Sequence, residues 1–309
     1  MKVLITGGAG FVGSHIVNRF CDNGHDVQIY DNLGHTSSID RIDTDVVIWP
    51  FSIEDGRSWV TMRRIGRNFD LVINSAAETH VDESFDRPKD FIRINILGLH
   101  HLSRFCIDCD IPLIHLSTDE VIGTGEVLHE DSMTLPTNPY SFTKAAGESL
   151  LHSYGYSYGL NWKSVRLNNA YGLKQFPDKL VTKFISLLLD NKKLPVHGDG
   201  SQLRNFLHVE DFVDAVELVM DVGHNRNIYN VTTDEEYSIL QVTKMICEVM
   251  NKNFDEVVEY VEDRPSQDPS YNSVSTKLRS LGWVPKRTLE GQLPAIVEWT
   301  KNNREFFSE

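Results

Sequence analysis

Residues Lys2–Thr6 form an apolar, β-rich run that passes directly into Gly7-Gly8-Ala9-Gly10-Phe11-Val12-Gly13, and a stretch of helical spacing, Phe11–Asn23, follows. Gly7, Gly10 and Gly13 stand three apart. At that spacing glycines allow a tight strand-to-helix turn, let backbone N–H groups approach a pyrophosphate, and bring the helix close to the strand. The helix N-terminus adds partial positive charge without any basic side chain. Asp31 closes the next strand-like run, 18 residues after Gly13 (31 − 13). That is near the roughly 20 expected of a carboxylate on an adenosine ribose. An acid there repels a 2′-phosphate, so the pattern points to NAD rather than NADP.

The same alternation continues along the first half of the chain. Lys2–Thr6, Asp26–Tyr30, Val46–Trp49, Leu71–Asn74 and Pro112–Leu116 read as strands, and Phe11–Asn23, Glu54–Arg67 and Pro88–Cys109 as helices. Pro139 opens a further helix to about Tyr158, with a strand at Lys163–Leu167 after it. Strand–helix alternation implies an α/β fold, a doubly wound parallel sheet covered by helices on both faces. Beyond about Tyr171 the rhythm breaks. Helical segments at Lys179–Asn191, Val209–Val222 and Ile239–Met250 are separated by turn-rich stretches, and Val257–Gly282 carries Pro265 and Pro269. At about 150 residues per domain the 309 residues divide in two. The expected division is 1–170 for the cofactor, with 204–232 packing back onto it, and 171–309 as a smaller mixed α/β lobe.

Charge bears on which phosphate ligand is feasible. Lys and Arg number 30 against 44 Asp and Glu, a net −14. A chain so acidic lacks the clustered cations that nucleic-acid binding needs, but a helix N-terminus and a few local donors can still hold a small diphosphate. No apolar run approaches the 18 residues of a membrane helix. The opening residues are cut by glycines before a signal-peptide core develops. Four cysteines do not make a disulfide framework at this length, so the expected compartment is the reducing cytoplasm. Cys106 and Cys109, with His100 and His101 upstream, lack a second ligand pair for zinc and read as helix; no metal is expected.

Tyr140 and Lys144 stand four apart, on one face of the helix that Pro139 opens. Of the ten tyrosines only this one has Lys at +4. A phenol beside an ammonium can act as base for an alcohol proton during hydride transfer. It needs its pKa lowered from about 10 by about three units, or roughly 4 kcal/mol. One Lys at about 4 Å with an effective dielectric near 20 supplies about that much. Asp119 and Glu120 follow the strand ending near Leu116, at the sheet edge where open α/β folds bind ligands. Two carboxyl groups in different protonation states can remove one proton and deliver another.

Together these residues resemble the extended short-chain dehydrogenase/reductase superfamily over nearly the whole chain. Four blocks, 76–82, 116–123, 168–180 and 204–211, resemble those of nucleotide-sugar 4,6-dehydratases in particular. The resemblance implies a Rossmann-type fold, NAD as cofactor, a nucleoside-diphosphate hexose as substrate and a homodimer paired through Pro88–Cys109 and Pro139–Tyr158. It implies Asp119 as acid, Glu120 as base, Thr118 on the substrate 4-hydroxyl and Tyr140 with Lys144 at the oxidation step. Beside the glycines, Phe11, Val12, Asp31, Asn32, Ile53, Ala76, Ala77, Tyr140 and Lys144 would line the NAD site. Thr79, Thr118, Asn169, Lys179, Leu180, Arg204 and Arg264 would hold the nucleotide-sugar, with both arginines on its diphosphate.

Several positions depart from the glucose-specific pattern. Ile122 replaces a Tyr after the Asp-Glu pair, Ser52 an adenine-contacting Asp, Ala170 an Asn beside the nicotinamide, and Ser238 a nucleotide-contacting Asn. Pro269 and Ser270 replace a basic pair. These bear on base and sugar identity rather than on the chemistry. A UDP-N-acetylglucosamine 4,6-dehydratase, with or without inversion at C5, therefore stays open. So does a 4-epimerase, which shares Tyr140 and Lys144 but has no need of Asp119 and Glu120. A non-catalytic NAD or nucleotide-sugar sensor would need none of the four.

Overall fold

The structure is a computed structural model and describes residues 1–65, 69–262 and 272–307. Strand β1 (Lys2–Thr6) feeds helix α1 (Phe11–Asp22), followed by β2 (Asp26–Tyr30), β3 (Val47–Trp49), α2 (Gly56–Ile65) and β4 (Leu71–Asn74). Short helices α3 (Val81–Asp86) and α4 (Pro88–Phe91) follow. A π-helical stretch, Ile92–Gly98, joins α4 to α5 (Leu99–Cys109). Backbone angles stay right-handed across both junctions, so Pro88–Cys109 is one helix, as its spacing predicts. Next come β5 (Leu113–Thr118), a single 3-10 turn at Asp119–Ile122, α6 (Pro139–Tyr158) and β6 (Trp162–Leu167).

Five of these strands and β6 join β10 (Asn227–Val231) in a seven-stranded sheet of order β10-β6-β5-β4-β1-β2-β3. All its pairings are parallel. The fold is thus the mixed α/β, Rossmann-type architecture expected. Consecutive parallel strands need crossovers, and the helices supply them on both faces. One apolar layer gathers Ile16, Val17 and Phe20 of α1 with Phe212, Val216 and Val219 of α8 (Val209–Val222); another gathers Trp59, Leu102, Phe105 and Leu151 from α2, α5 and α6. Strand order reverses between β1 and β4, where the Thr6 hydroxyl donates to Asn74 Oδ1 at 2.6 Å. A crevice opens at such a switch point.

The later chain builds two smaller sheets: β7 (Asn169–Tyr171) with β9 (Leu203–His208) and β11 (Glu236–Ser238), and β8 (Leu194–His197) with β12 (Val258–Val261). Helices α7 (Leu180–Leu189), α9 (Ile239–Val249) and α12 (Leu289–Asn302) close over them around Phe184, Ile185, Ile246 and Leu293. Short α10 (Phe254–Val257) and α11 (Thr276–Ser280) complete the helices. Strands β7 to β11 were not expected from the sequence. They are short and polar in places, so period-2 alternation does not stand out. The Pro265 and Pro269 region lies outside the described residues. Among the described residues no helix is long and apolar enough to cross a membrane, and all four cysteines are free.

Two buried cations tie the layers together. Arg41 is fully buried and donates to the carbonyls of Ala9 (3.0 Å), Thr36 (2.7 Å) and Lys174 (2.9 Å). Arg166 on β6 makes a two-pronged pair with Glu148 on α6, at 2.9 and 2.8 Å.

Candidate active site

A cleft of about 590 Å³ runs over the C-terminal edge of the large sheet toward the smaller sheets. Its first end is made of backbone. Gly7 adopts φ +67°, and a Cβ there would stand 2.6 Å from the Ala76 nitrogen. Gly13 does not line the cleft but packs behind the turn, where a Cβ would meet the Gly7 carbonyl oxygen at 2.1 Å. Gly7 and Gly13 are therefore closed to side chains, while Gly10, Phe11 and Val12 open the N-terminus of α1 onto the cleft. Asp31 accepts from Ala9 N at 3.0 Å and Leu33 N at 2.8 Å, which pins the turn to the end of β2. Asn32, Ile53, Ala76 and Ala77 form the adjoining wall. Ser117 also lines this cleft, and its hydroxyl is buried without a partner among the described residues. A dinucleotide fits these features: backbone donors for its diphosphate, an acid for its ribose, and a polar group awaiting a partner.

At the centre, β5 ends in Thr118 and the chain turns through Asp119 and Glu120, facing α6. Helix α6 starts where it does because Asn138 caps it. Asn138 Oδ1 accepts from Ser141 N at 2.8 Å, the Ser141 hydroxyl approaches Asn138 N, and Pro139 occupies the first turn. That start brings Tyr140 and Lys144 onto the cleft. The same Asn138 donates from Nδ2 to Glu120 at 3.1 Å, so one side chain sets both the helix and the carboxylate. Thr118 hydrogen-bonds the Tyr140 phenol and accepts from Glu120 N at 3.3 Å.

The two acids differ in surroundings. Asp119 is 4% exposed and accepts from Asn168 Nδ2 at 2.7 Å and the Ser273 hydroxyl at 3.1 Å. Burial, reinforced by the neighbouring Glu120, pushes its carboxyl up to about 7 against the opposing pull of Ser273 and Arg166. It therefore keeps a share of its proton up to neutral pH, where an ordinary carboxyl has lost it. Glu120 is only half-buried.

Electrostatics at Tyr140 depart from the sequence expectation. Burial first, and Glu120 second, raise the phenol, and the Thr118 hydrogen bond opposes them. Lys144 does not lower it here. Its ammonium donates to the Leu116 carbonyl at 2.5 Å, and burial brings it down to about 8. Four residues on a helix put the two side chains on one face, but both are buried against β5, and the long Lys chain reaches the strand.

At the far end Thr79, Asn169, Lys179, Leu180 and Arg204 all line the cleft. Asn169 donates to the Asn205 carbonyl at 3.2 Å, and Arg204 Nη1 to its neighbour's carbonyl, Leu203 O, at 2.7 Å. His80 and Asp178 form a close hydrogen-bonded pair across this end. Arg264 lies outside the described residues. Sequence reasoning missed Asn138, Asn168 and Ser273. Asn138 was legible as the Asn-Pro start of a helix; the other two reach Asp119 only through the fold, 49 and 154 residues away.

The chain is similar to known proteins along its whole length. The chain is 39% identical to a trifunctional UDP-glucose 4,6-dehydratase/UDP-4-keto-6-deoxy-D-glucose 3,5-epimerase/UDP-4-keto-L-rhamnose-reductase of Arabidopsis thaliana, over 100% of this chain and 48% of that protein. It thus spans about half the length of such relatives. It is 35% identical to a dTDP-D-glucose 4,6-dehydratase of Mus musculus, over 98% of this chain and 89% of the other. The crystal structure of the dTDP-glucose 4,6-dehydratase DesIV from Streptomyces venezuelae, with NAD bound, superposes with a TM-score of 0.95 at 29% identity, covering 100% and 99% of the two chains. Residues 3–232 match the model of one family, and the chain belongs to it: the NAD dependent epimerase/dehydratase family.

Proposed function

We propose that this protein is a hydro-lyase that converts a nucleoside-diphosphate glucose, of the UDP or dTDP type, to its 4-keto-6-deoxy derivative. One observation carries the reading. Asp119 and Glu120 face the same cleft as Tyr140 and Lys144, and burial raises Asp119 while Glu120 is more open, so the two acids differ in protonation. A 4-epimerase needs the second pair but not the first, and a sensor needs neither.

Tyr140, whose phenol burial raises, takes the proton of the substrate 4-hydroxyl once the positive charge of bound NAD lowers it again, and Thr118 orients that hydroxyl. The 4-ketone then acidifies C5–H, Glu120 removes that proton, and Asp119 protonates the departing 6-hydroxyl so that water leaves. NAD, when bound, would supply reversible hydride chemistry with no net change over a cycle, and Glu120 gives its proton back to C5 as C6 is reduced. The glycine turn, Phe11, Val12, Asp31, Asn32, Ile53, Ala76, Ala77 and Lys144 are proposed to hold it. Thr79, Asn169, Lys179, Leu180, Arg204 and Arg264 are proposed to hold the nucleotide-sugar.

In this reading residues 1–170, with 204–232, carry the cofactor, and 171–309 carry the nucleotide-sugar. The protein works in nucleotide-sugar metabolism, in the cytoplasm and as a homodimer. Ile92, Leu97, Phe142 and Tyr156 remain exposed on the two helices proposed to pair, which supports the dimer. Sedimentation should give twice the chain mass. The function itself is tested by NMR of products from UDP- and dTDP-linked glucose and N-acetylglucosamine. A 4-keto-6-deoxy product from a glucose nucleotide is expected. A C4-inverted product would point to the epimerase, an acetamido product to the N-acetylglucosamine enzyme, and none at all to the sensor.

A further inference from the structure

Both side-chain donors to Asp119 reach the same atom. Asn168 Nδ2 lies 2.7 Å and the Ser273 hydroxyl 3.1 Å from Oδ2. The Asn168 amide cannot be turned over, because its Oδ1 already accepts from Asn169 N at 2.5 Å and Asn169 Nδ2 at 3.0 Å. Its NH2 group is therefore the end that meets Asp119, and it can only donate. Asn168 is 3% exposed and Ser273 6%, so water does not compete freely for either contact. Ser273 is itself fixed by main-chain bonds on either side: Leu128 N donates to Asn272 O at 2.9 Å, and Val274 N donates to Leu128 O at 3.0 Å.

We propose that Asn168 and Ser273 are positioning residues that reserve Oδ2 of Asp119 as an acceptor, so that the acid's transferable proton sits on Oδ1. An oxygen receiving two hydrogen bonds is a poor place for a proton, because the N–H of Asn168 would face an O–H with no way to reverse itself. The arrangement fixes the rotation of the carboxyl and assigns its two oxygens separate tasks, one for anchoring and one for donating. It also restrains the acidity. Both donors favour the carboxylate and oppose burial, keeping Asp119 in a range where it can give its proton up and regain it. The charged and titratable groups around this carboxyl are Glu120 beside it, Tyr140 and Lys144 on α6, and Arg166 on β6. Of these Glu120 raises it and Arg166 lowers it.

The inference rests on Asp119 being the acid in the proposed dehydration. Carboxyl-carbon NMR of 13C-labelled Asp, assigned with Asp119→Asn, gives the Asp119 midpoint without substrate. Ser273→Ala should move that midpoint up by about one pH unit, the effect of losing one hydrogen bond to a charged group. Ser273→Thr should restore it, and Asn168→Ala should move it in the same direction. In single turnovers both Ala variants should slow water loss more than transient NADH formation, with the alkaline limb of the elimination displaced by the same amount. If the midpoint and limb in Ser273→Ala and Asn168→Ala coincide with the unaltered protein, the two residues do not position the acid. If instead Asp119→Asn dehydrates substrate at full rate, the acid role fails while the NMR result on the carboxyl's surroundings stands.

Discussion

At the glycine turn the cleft is walled by backbone, with no room for a Cβ at Gly7 or Gly13, whereas at Lys179 and Arg204 it is walled by long side chains. The two ends should therefore fail differently. A wall of backbone tolerates no side chain, since any added atom forces the chain apart. A wall of side chains loses one contact at a time. Between them Tyr140 and the two acids form a middle where position matters more than bulk.

The most severe loss should come from the middle. Tyr140→Phe is expected to silence turnover by about 10⁴-fold, transient NADH included, because in the proposed reaction Tyr140 takes the 4-hydroxyl proton; hydride transfer that survives would remove Tyr140 from the chemistry. Asp119→Asn should slow water loss by about 10²–10⁴-fold while C4 oxidation continues. Rapid-quench sampling should then find the 4-keto hexose with its 6-hydroxyl still in place. In the unaltered protein, with Asp119 at about 7, elimination should decline as pH rises through that value.

Gly13→Ala tests the backbone wall. With its Cβ 2.1 Å from the Gly7 oxygen, calorimetry should show NAD binding weakened at least about 100-fold, and an unchanged affinity would break the comparison. Arg204→Ala tests the other end. A rise in KM of about 10-fold with kcat retained is expected, the loss of one ligand contact of about 1.4 kcal/mol. A collapse of kcat instead would place Arg204 in the middle group.

A further effect concerns stability rather than turnover. The folded state binds the Asp119 proton more tightly than the unfolded chain does. Stability from this group is thus lost as pH rises from about 4 to about 7. Asp119→Asn should be more stable than the unaltered protein at pH 8, by up to about 4 kcal/mol, and show little difference at pH 4. Equal melting at both would mean that burial does not burden this carboxyl.

The sequence made the backbone wall legible because glycine spacing, strand and Asp31 are local signals within about 30 residues. Tyr140, Lys144 and the acid pair were legible as chemistry and by resemblance, but their electrostatics were not. Lys144 turns to Leu116, and the phenol answers to Thr118, relations that depend on the depth of α6 against β5. Asn168 opens one of the blocks that carry the resemblance, but neither it nor Ser273 could be read as a partner of Asp119, since nothing local in either segment names that residue. Strands β7, β9 and β11 were hidden for a similar reason: each has three to six residues and gains its meaning from pairing with distant chain.

Strand β10, residues 227–231, closes the large sheet against β6 after the chain has already built β7, α7, β8 and β9 elsewhere. Chain order and spatial order are interleaved. A chimera spliced near residue 170 would join one parent's β6 to the other parent's β10 and give α1 a foreign α8 to pack against. A working chimera should therefore keep 204–232 in one parent together with β7, β11 and α11, the segments that pair with it or pack on the same core.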